Sequence, residues 1–422
     1  MHSISSRLIL YSIIFLIFFD FLFFKVEIYF LHITALRAIL LIGFILLILF
    51  QLKRKYIKLS TSKFVNFVLL FFIFWIIYSF VQLLWVIDLN EATKAIYYLV
   101  YYFILLYVII NLNDKNNFIK ADKLLYLIGV ILILFGIIEI FFNVHLPTSR
   151  LFKEEMSIQN MNKATAVFYN ENDFSMFLVL LFPFFLINLL ENQKANKFFS
   201  IFMLILTFYI VIANEARLAL FSLLLQILSI IFFNINKRRG IIIIFLVAVI
   251  ISMLSFYLIE DIMKELKTEF NLTGASASVR LDLIRKGFEL LLGSYLLGVG
   301  PGNFEANIIK VTNGAGIYGI INSHNWWIEL MTNYGLIIFS LYLIIFIKML
   351  INLYHIGKDT DKTYSYYGKV FFISFIGFIL SSGGPSSIFY KWFHWMYFAL
   401  AISLINIYSS KNIKGNKSNT IS

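Results

Sequence analysis

The chain contains no cysteine and little charge. Of its 422 residues only 14% are Asp, Glu, Lys or Arg, while 61% are apolar and 48 are phenylalanine. The missing cysteine excludes disulfides, thiolate metal sites, cysteine nucleophiles and a lipid-modified cysteine anchor. The missing charge says more. A soluble domain carries about 25% charged and about 45–50% apolar residues, and a core of this size cannot hide such an excess. The solvent this composition implies for most of the chain is the lipid bilayer. A net charge of +12, from 35 basic and 23 acidic residues, belongs in such a chain to cytoplasmic loops, so nucleic acid is excluded as a partner.

Several catalytic signatures are also absent. The six histidines, His2, His32, His145, His324, His355 and His394, show no H-x-x-x-H or H-E-x-x-H spacing, so no metal site is expected. There is no G-x-S-x-G and no P-loop. Asp359 and Asp361 form a D-x-D, but between Lys358 and Lys362 in a short cytoplasmic loop they read as solvated charges. The first external loop, Lys25 to Glu27, is too short for the acidic pair of a metal-dependent, lipid-linked glycosyltransferase.

A helix needs about 20 apolar residues to cross roughly 30 Å of hydrocarbon, because backbone groups cannot face lipid unpaired. That criterion predicts an all-α polytopic protein of about twelve spans, near 7–24, 28–51, 64–87, 95–111, 124–142, 174–190, 198–213, 216–233, 240–259, 335–353, 368–382 and 388–408. The first reads as a retained helix, since no small-residue cleavage site follows it. With both termini cytoplasmic, 21 of the 35 basic residues fall on the inside, as Lys and Arg do in short cytoplasmic loops. The chain reads as one membrane domain, 1–422, with a large external loop at 260–325. Neither internal repeats nor paired broken helices of an inverted-repeat transporter are visible.

Polar groups tolerated at the membrane carry the information, because a charge at mid-bilayer costs about 3 kcal/mol on the lenient scale. Four places stand out. Arg217 follows the polar turn Asn214–Glu215 at the external mouth of the eighth span. Ser278, a good N-cap, opens a helix with Leu281, Ile284, Phe288 and Leu291 at helical spacing, predicting an amphipathic helix on the outer membrane face. Arg280 lies in its first turn, where backbone amides favour an anion, whereas Arg285 and Lys286 read as headgroup contacts. Gly298, Gly300 and Gly302 form a tight turn before Phe304; without a preceding strand it does not read as a dinucleotide site. Finally, Ser323 is expected to cap the helix that leads into the tenth span, placing His324 in its first turn with Trp326 and Trp327 at headgroup depth.

In this order, Arg217, then Ser278-x-Arg280, then G-x-G-x-x-F, then His324, Asn325, Glu329 and Gly335, the residues resemble the bacterial O-antigen ligases and surface-polysaccharide polymerases. Asn170, Asn172 and Phe174 resemble that family's N-x-N-x-F element. Glu215-Ala216-Arg217-Leu218 departs from the S-R-G usual there. The resemblance implies an external active site in a multi-pass bacterial cell membrane protein. It implies transfer of an oligosaccharide from undecaprenyl pyrophosphate to an acceptor hydroxyl, with a flippase and a chain-length regulator as further partners.

Arginine forks suit a pyrophosphate leaving group and a neutral histidine suits an acceptor proton. Arg217, Arg280 and His324 are therefore the expected catalytic residues, and Asn172, Gly298, Gly300, Gly302, Asn325 and Glu329 the expected substrate-binding ones, with no metal or other cofactor and with inversion by direct displacement. The bias toward Ile, Phe, Asn, Lys and Leu, which AT-rich genomes produce, favours a Gram-positive source without lipopolysaccharide, hence a polymerase over a ligase. A flippase or exporter is the alternative of another class, but it would line both halves with polar residues.

Overall fold

The computed structural model describes residues 3–28, 31–53, 60, 62–152, 162–191, 194–233, 276–314, 316–317 and 320–419; within the helix from Ser276, side chains are described at 280 and from 282 onward. The architecture is all-α and polytopic. Its helices are α1 (Ser3–Phe19), α2 (Ala35–Lys53), α3 (Lys63–Gln82), α4 (Leu89–Leu112), α5 (Lys115–Phe142), α6 (Glu171–Glu191), α7 (Lys194–Ala213), α8 (Arg217–Ser229), α9 (Ser276–Gly293), α10 (Phe304–Val311), α11 (Trp326–Gly357), α12 (Lys362–Ser381) and α13 (Trp392–Asn419). By length and apolarity seven of these, α2 to α6, α11 and α12, can cross a membrane, and α7 and α8 are shorter apolar helices. Each expected span overlaps a helix except the ninth, 240–259, which lies outside the described residues, as does 260–275 of the expected external loop.

Two boundaries differ from expectation. The second span begins seven residues late, because Lys25–Ile28 (β1) and Leu31–Thr34 (β2) pair as an antiparallel hairpin in which Lys25 faces Thr34. Asp20 takes the Leu36 N–H at 2.9 Å, so the helix starts only after the hairpin. The tenth span begins at Trp326 and breaks at Gly335, whose φ of 78° and ψ of 175° interrupt the helix.

α6 is almost wholly buried and packs on α7, α8 and α12, so it is the axis of the half that carries the site. Polar side chains fix its neighbours. Gln226 of α8 donates to the Val179 carbonyl at 2.8 Å and to Ile373 at 3.1 Å, and Ser374 of α12 donates to Leu180 at 2.8 Å. Such interhelical bonds are retained in membrane bundles because lipid offers no substitute partner. Gly377 makes the Gln226 contact possible: a Cβ there would sit 2.3 Å from its amide nitrogen.

α9 is amphipathic, and its packed face overlaps the predicted stripe at Leu291 and Ile284 but not at Phe288. Leu283 and Leu291 are buried against Phe304, Ile308, Ile328 and Met331, whereas Phe288 is 47% exposed. Gly287, between them, lets α11 approach so closely that a Cβ would lie 2.5 Å from Ile328, and Thr332 donates to its carbonyl at 3.2 Å. A glycine in the seam leaves no apolar signal, so the stripe in the sequence is centred to one side of the face that packs.

Candidate active site

The turn before α8 is fixed by Asn214. Its side chain accepts from the Ala164 N–H at 2.8 Å and donates to the Ala164 carbonyl at 2.9 Å and the Ser175 hydroxyl at 3.2 Å. Glu215 takes a left-handed φ of 54°, which turns the chain so that Arg217 is the first residue of α8. Arg280 arrives from the other side. At 100° per residue, positions 280, 283, 287 and 291 share one face of α9, so the packing that seats Leu283, Gly287 and Leu291 on α11 also carries Arg280 inward.

The two arginines line a cavity of about 190 Å³ with Asn172, Glu215, Ala216, Leu218, Ala219, Ser381 and Gly384. Burial, and then the neighbouring Arg217 charge, push the Arg280 pKa down, which marks a place where two cations are held together. A helix N-terminus adds to the same field, since the first turn of α8 forms one wall. Arg285, by contrast, is 80% exposed and pairs with Glu289 at 3.3 Å.

His324 reaches the same place through the segment after α12. Its Nδ1 lies 3.5 Å from the Gly384 carbonyl and its N–H donates to Ser386 at 3.3 Å. It is not in a helical turn, as the sequence reading had it: Asn325, not Ser323, is the N-cap of α11, accepting from the Trp327 and Ile328 N–H groups at 3.0 and 3.2 Å. His324 precedes the cap with a φ of 46°, in the left-handed region. Burial holds its imidazole below the usual histidine range; the Gly384 carbonyl opposes this and the Arg280 charge reinforces it. The ring is neutral at pH 7. A proton on Nδ1 toward Gly384 leaves Nε2 as the acceptor.

The 170–174 element divides its labour. Asn170 caps α6 by accepting from Asp173 N–H at 2.8 Å, Glu171 holds Arg150 through a fork of 2.7 and 3.1 Å, and Asp173 pairs with Lys391 at 2.5 Å. Only Asn172 faces the cavity. Other expected binding residues are engaged elsewhere. Glu329 accepts from the Ser387 hydroxyl and from the Ile388 N–H at 3.2 Å, so it ties α11 to the segment that carries Gly384.

The glycine turn lies against the break in α11. Val299 and Gly300 N–H groups donate to the Thr332 and Asn333 carbonyls, both at 2.9 Å, and the Gly298 carbonyl accepts from the Trp85 indole at 2.9 Å. Gly298 has a φ of 85° and no room for a side chain: a Cβ would stand 2.4 Å from the Gly335 nitrogen. Ser381 to Ser387, between the eleventh and twelfth expected spans, carries Gly384 to the cavity. Its Gly383-Gly384-Pro385 is turn punctuation and the one signal that could have marked it.

A bundle of helices able to cross a membrane, with two arginines around one small cavity and a histidine beside it, defines a polytopic membrane protein with an arrangement that can hold an anion next to a base. The O-antigen ligase family model matches residues 202–343, which contain Arg217, Arg280, His324 and the glycine turn. The chain is also 26% identical over 360 residues to the teichuronic acid biosynthesis protein TuaE of Bacillus subtilis, covering 81% of this chain and 72% of that protein. The two findings support the resemblance of the chain to the O-antigen ligases and surface-polysaccharide polymerases.

Proposed function

We propose that the protein transfers an oligosaccharide from undecaprenyl pyrophosphate to an acceptor hydroxyl at the external face of a bacterial cell membrane, and that it acts as a repeat-unit polymerase for a cell-surface polysaccharide. The observation that carries this reading is the convergence of Arg217, Arg280 and Asn172 on one cavity whose Gly384 wall also meets His324. Charge grows on the leaving pyrophosphate in the transition state, and two arginines stabilise it there without deprotonating. Neutral His324 takes the acceptor proton as the hydroxyl oxygen bonds to the anomeric carbon and the carbon–phosphate-oxygen bond breaks, with inversion. Ligase-type transfer to a lipid acceptor uses the same donor and chemistry, and the family model that matches is described by that activity. The similarity to a teichuronic acid biosynthesis protein, together with the composition, favours the polymerase.

Two experiments test this. Purified protein supplied with lipid-linked donor is expected to polymerise it equally well in EDTA, because the arginines supply the positive charge; turnover lost in EDTA and restored by Mg²⁺ or Mn²⁺ would return the mechanism to acidic residues. Sidedness is accessible because the chain has no cysteine. Ser276→Cys should label in intact cells with an impermeant maleimide, and Ser410→Cys only after permeabilisation. Labelling of Ser276→Cys only after permeabilisation would place the arginine cavity in the cytoplasm, where an externally displayed donor cannot reach it.

A further inference from the structure

A second, larger cavity of about 940 Å³ opens at the other end of the bundle. α6 connects the two ends, with Asn172 lining the arginine cavity and Glu191 lining this one. The walls are the N-terminal parts of α5, α7 and α12, the loop before α12 and the last turn of α6. Three of its charges are matched within the fold: Lys369 pairs with Glu191 at 2.5 Å, and Asp359 accepts from Tyr408 at 2.7 Å.

Asp122 is matched only in part: the Tyr367 hydroxyl donates to its carboxyl and the Lys123 charge lies near it. It lines the cavity from α5, is 5% exposed, and its Oδ1 has no hydrogen-bond partner. A buried carboxylate oxygen without a donor is costly, and an ionisable residue inside a membrane helix is a functional candidate by default. At the mouth, Lys123 and Lys362 are exposed and have no ion-pair partner among the described residues. One carboxylate oxygen without a donor inside, and two cations outside with no ion-pair partner among the described residues, complement one kind of molecule, with an N–H or O–H at its tip and a phosphate behind it. The position suits a lipid. Lys115, Lys120, Lys123, Lys358 and Lys362 gather at this end, where basic residues meet headgroup phosphates.

We propose that this cavity holds the headgroup of a membrane phospholipid with a hydrogen-bond donor beyond its phosphate, phosphoglycerol or phosphoethanolamine, its tip on Asp122 and its phosphate between Lys123 and Lys362. The site is separate from the arginine cavity and stands or falls independently of the glycosyl-transfer reading.

Native mass spectrometry of the full-length protein, equilibrated in detergent with equal amounts of phosphatidylglycerol, phosphatidylethanolamine and phosphatidylcholine of matched chains, tests it. Retention of the first two is expected to exceed phosphatidylcholine by about tenfold, because choline nitrogen has no hydrogen to give Asp122. Asp122→Asn should level the three. The double variant Lys123→Gln/Lys362→Gln should lower all three alike while keeping the preference, and it serves as the independent test where Asp122→Asn does not fold. Displacement of the retained lipid by millimolar glycerol 3-phosphate would assign the same site to a soluble phosphate; resistance to it assigns the site to the bilayer. Equal retention of phosphatidylcholine by the unaltered protein, a preference that survives in Asp122→Asn, or a double variant that retains lipid undiminished would overturn the proposal.

Discussion

Replacing Arg280 by lysine is expected to reduce polymer formation by on the order of 10² to 10³, although the positive charge is kept. Lysine offers a point charge where the guanidinium offers a planar fork matched to phosphate oxygens, and removal of one preorganised transition-state donor typically costs that much. Arg280→Ala should be at least as impaired. The internal control is Arg285→Ala. Five residues on, it lies about 140° round the helix axis from Arg280, and its side chain is 80% exposed in a pair with Glu289. Surface pairs of this kind contribute little to stability. Turnover by Arg285→Ala should stay within about twofold of the unaltered protein. If Arg285→Ala loses activity as fully as Arg280→Ala, general attraction to anionic lipid explains α9 better than a pyrophosphate site does.

His324→Ala is expected to remove turnover by on the order of 10² to 10⁴ while the protein remains inserted and still retains lipid-linked donor, because a base contributes to proton transfer and little to lipid binding. His324→Asn separates chemistry from backbone. With its φ of 46°, position 324 sits in the left-handed region that asparagine tolerates better than alanine. The Asn variant should therefore fold as the parent does and be as inactive as the Ala variant. The pH dependence follows from the lowered histidine pKa. The neutral ring is the active form, so kcat/KM should be flat near neutrality and fall only as pH drops below the ordinary histidine value of 6.5. In Arg280→Gln the repelling charge is gone and protonation becomes easier, so the residual activity should show an acid limb moved to higher pH. An acid limb that stays in place would mean that the two residues do not share a site.

The engagement of Glu329, Lys391 and Asn325 gives the segment between α12 and α13 a defined position. Glu329 holds Ser387 and Ile388, Lys391 is held by Asp173 of α6, and the Trp326 N–H donates to Ser382 at 3.1 Å. Gly384 is thereby fixed between Asn172 and His324. In the proposed reaction, a base positioned by several elements would hold its geometry without reorganising, which is where preorganised sites gain rate.

What the sequence by itself determined is the part governed by composition and local pattern. Long apolar stretches must form helices in lipid, because no other single-chain element satisfies its own backbone there, and among the described residues the helices stand where those stretches are. The candidate site was legible for a related reason: Arg217, Arg280 and His324 are polar groups in a chain that otherwise has little charge, so each stood out singly. Tertiary packing decided what joins them. The face of α9 that turns inward depends on Gly287 admitting α11, and a missing side chain writes no signal into a hydrophobic pattern. Capping by Asn325 instead of Ser323, and the left-handed His324 before it, depend on where Ser382 and Ser386 present their carbonyls, some sixty residues away. The same holds for Gly298 against Gly335 and for Gly384 beside Asn172. Each is a contact between backbones distant in sequence, and local periodicity carries no information about which distant backbone will arrive.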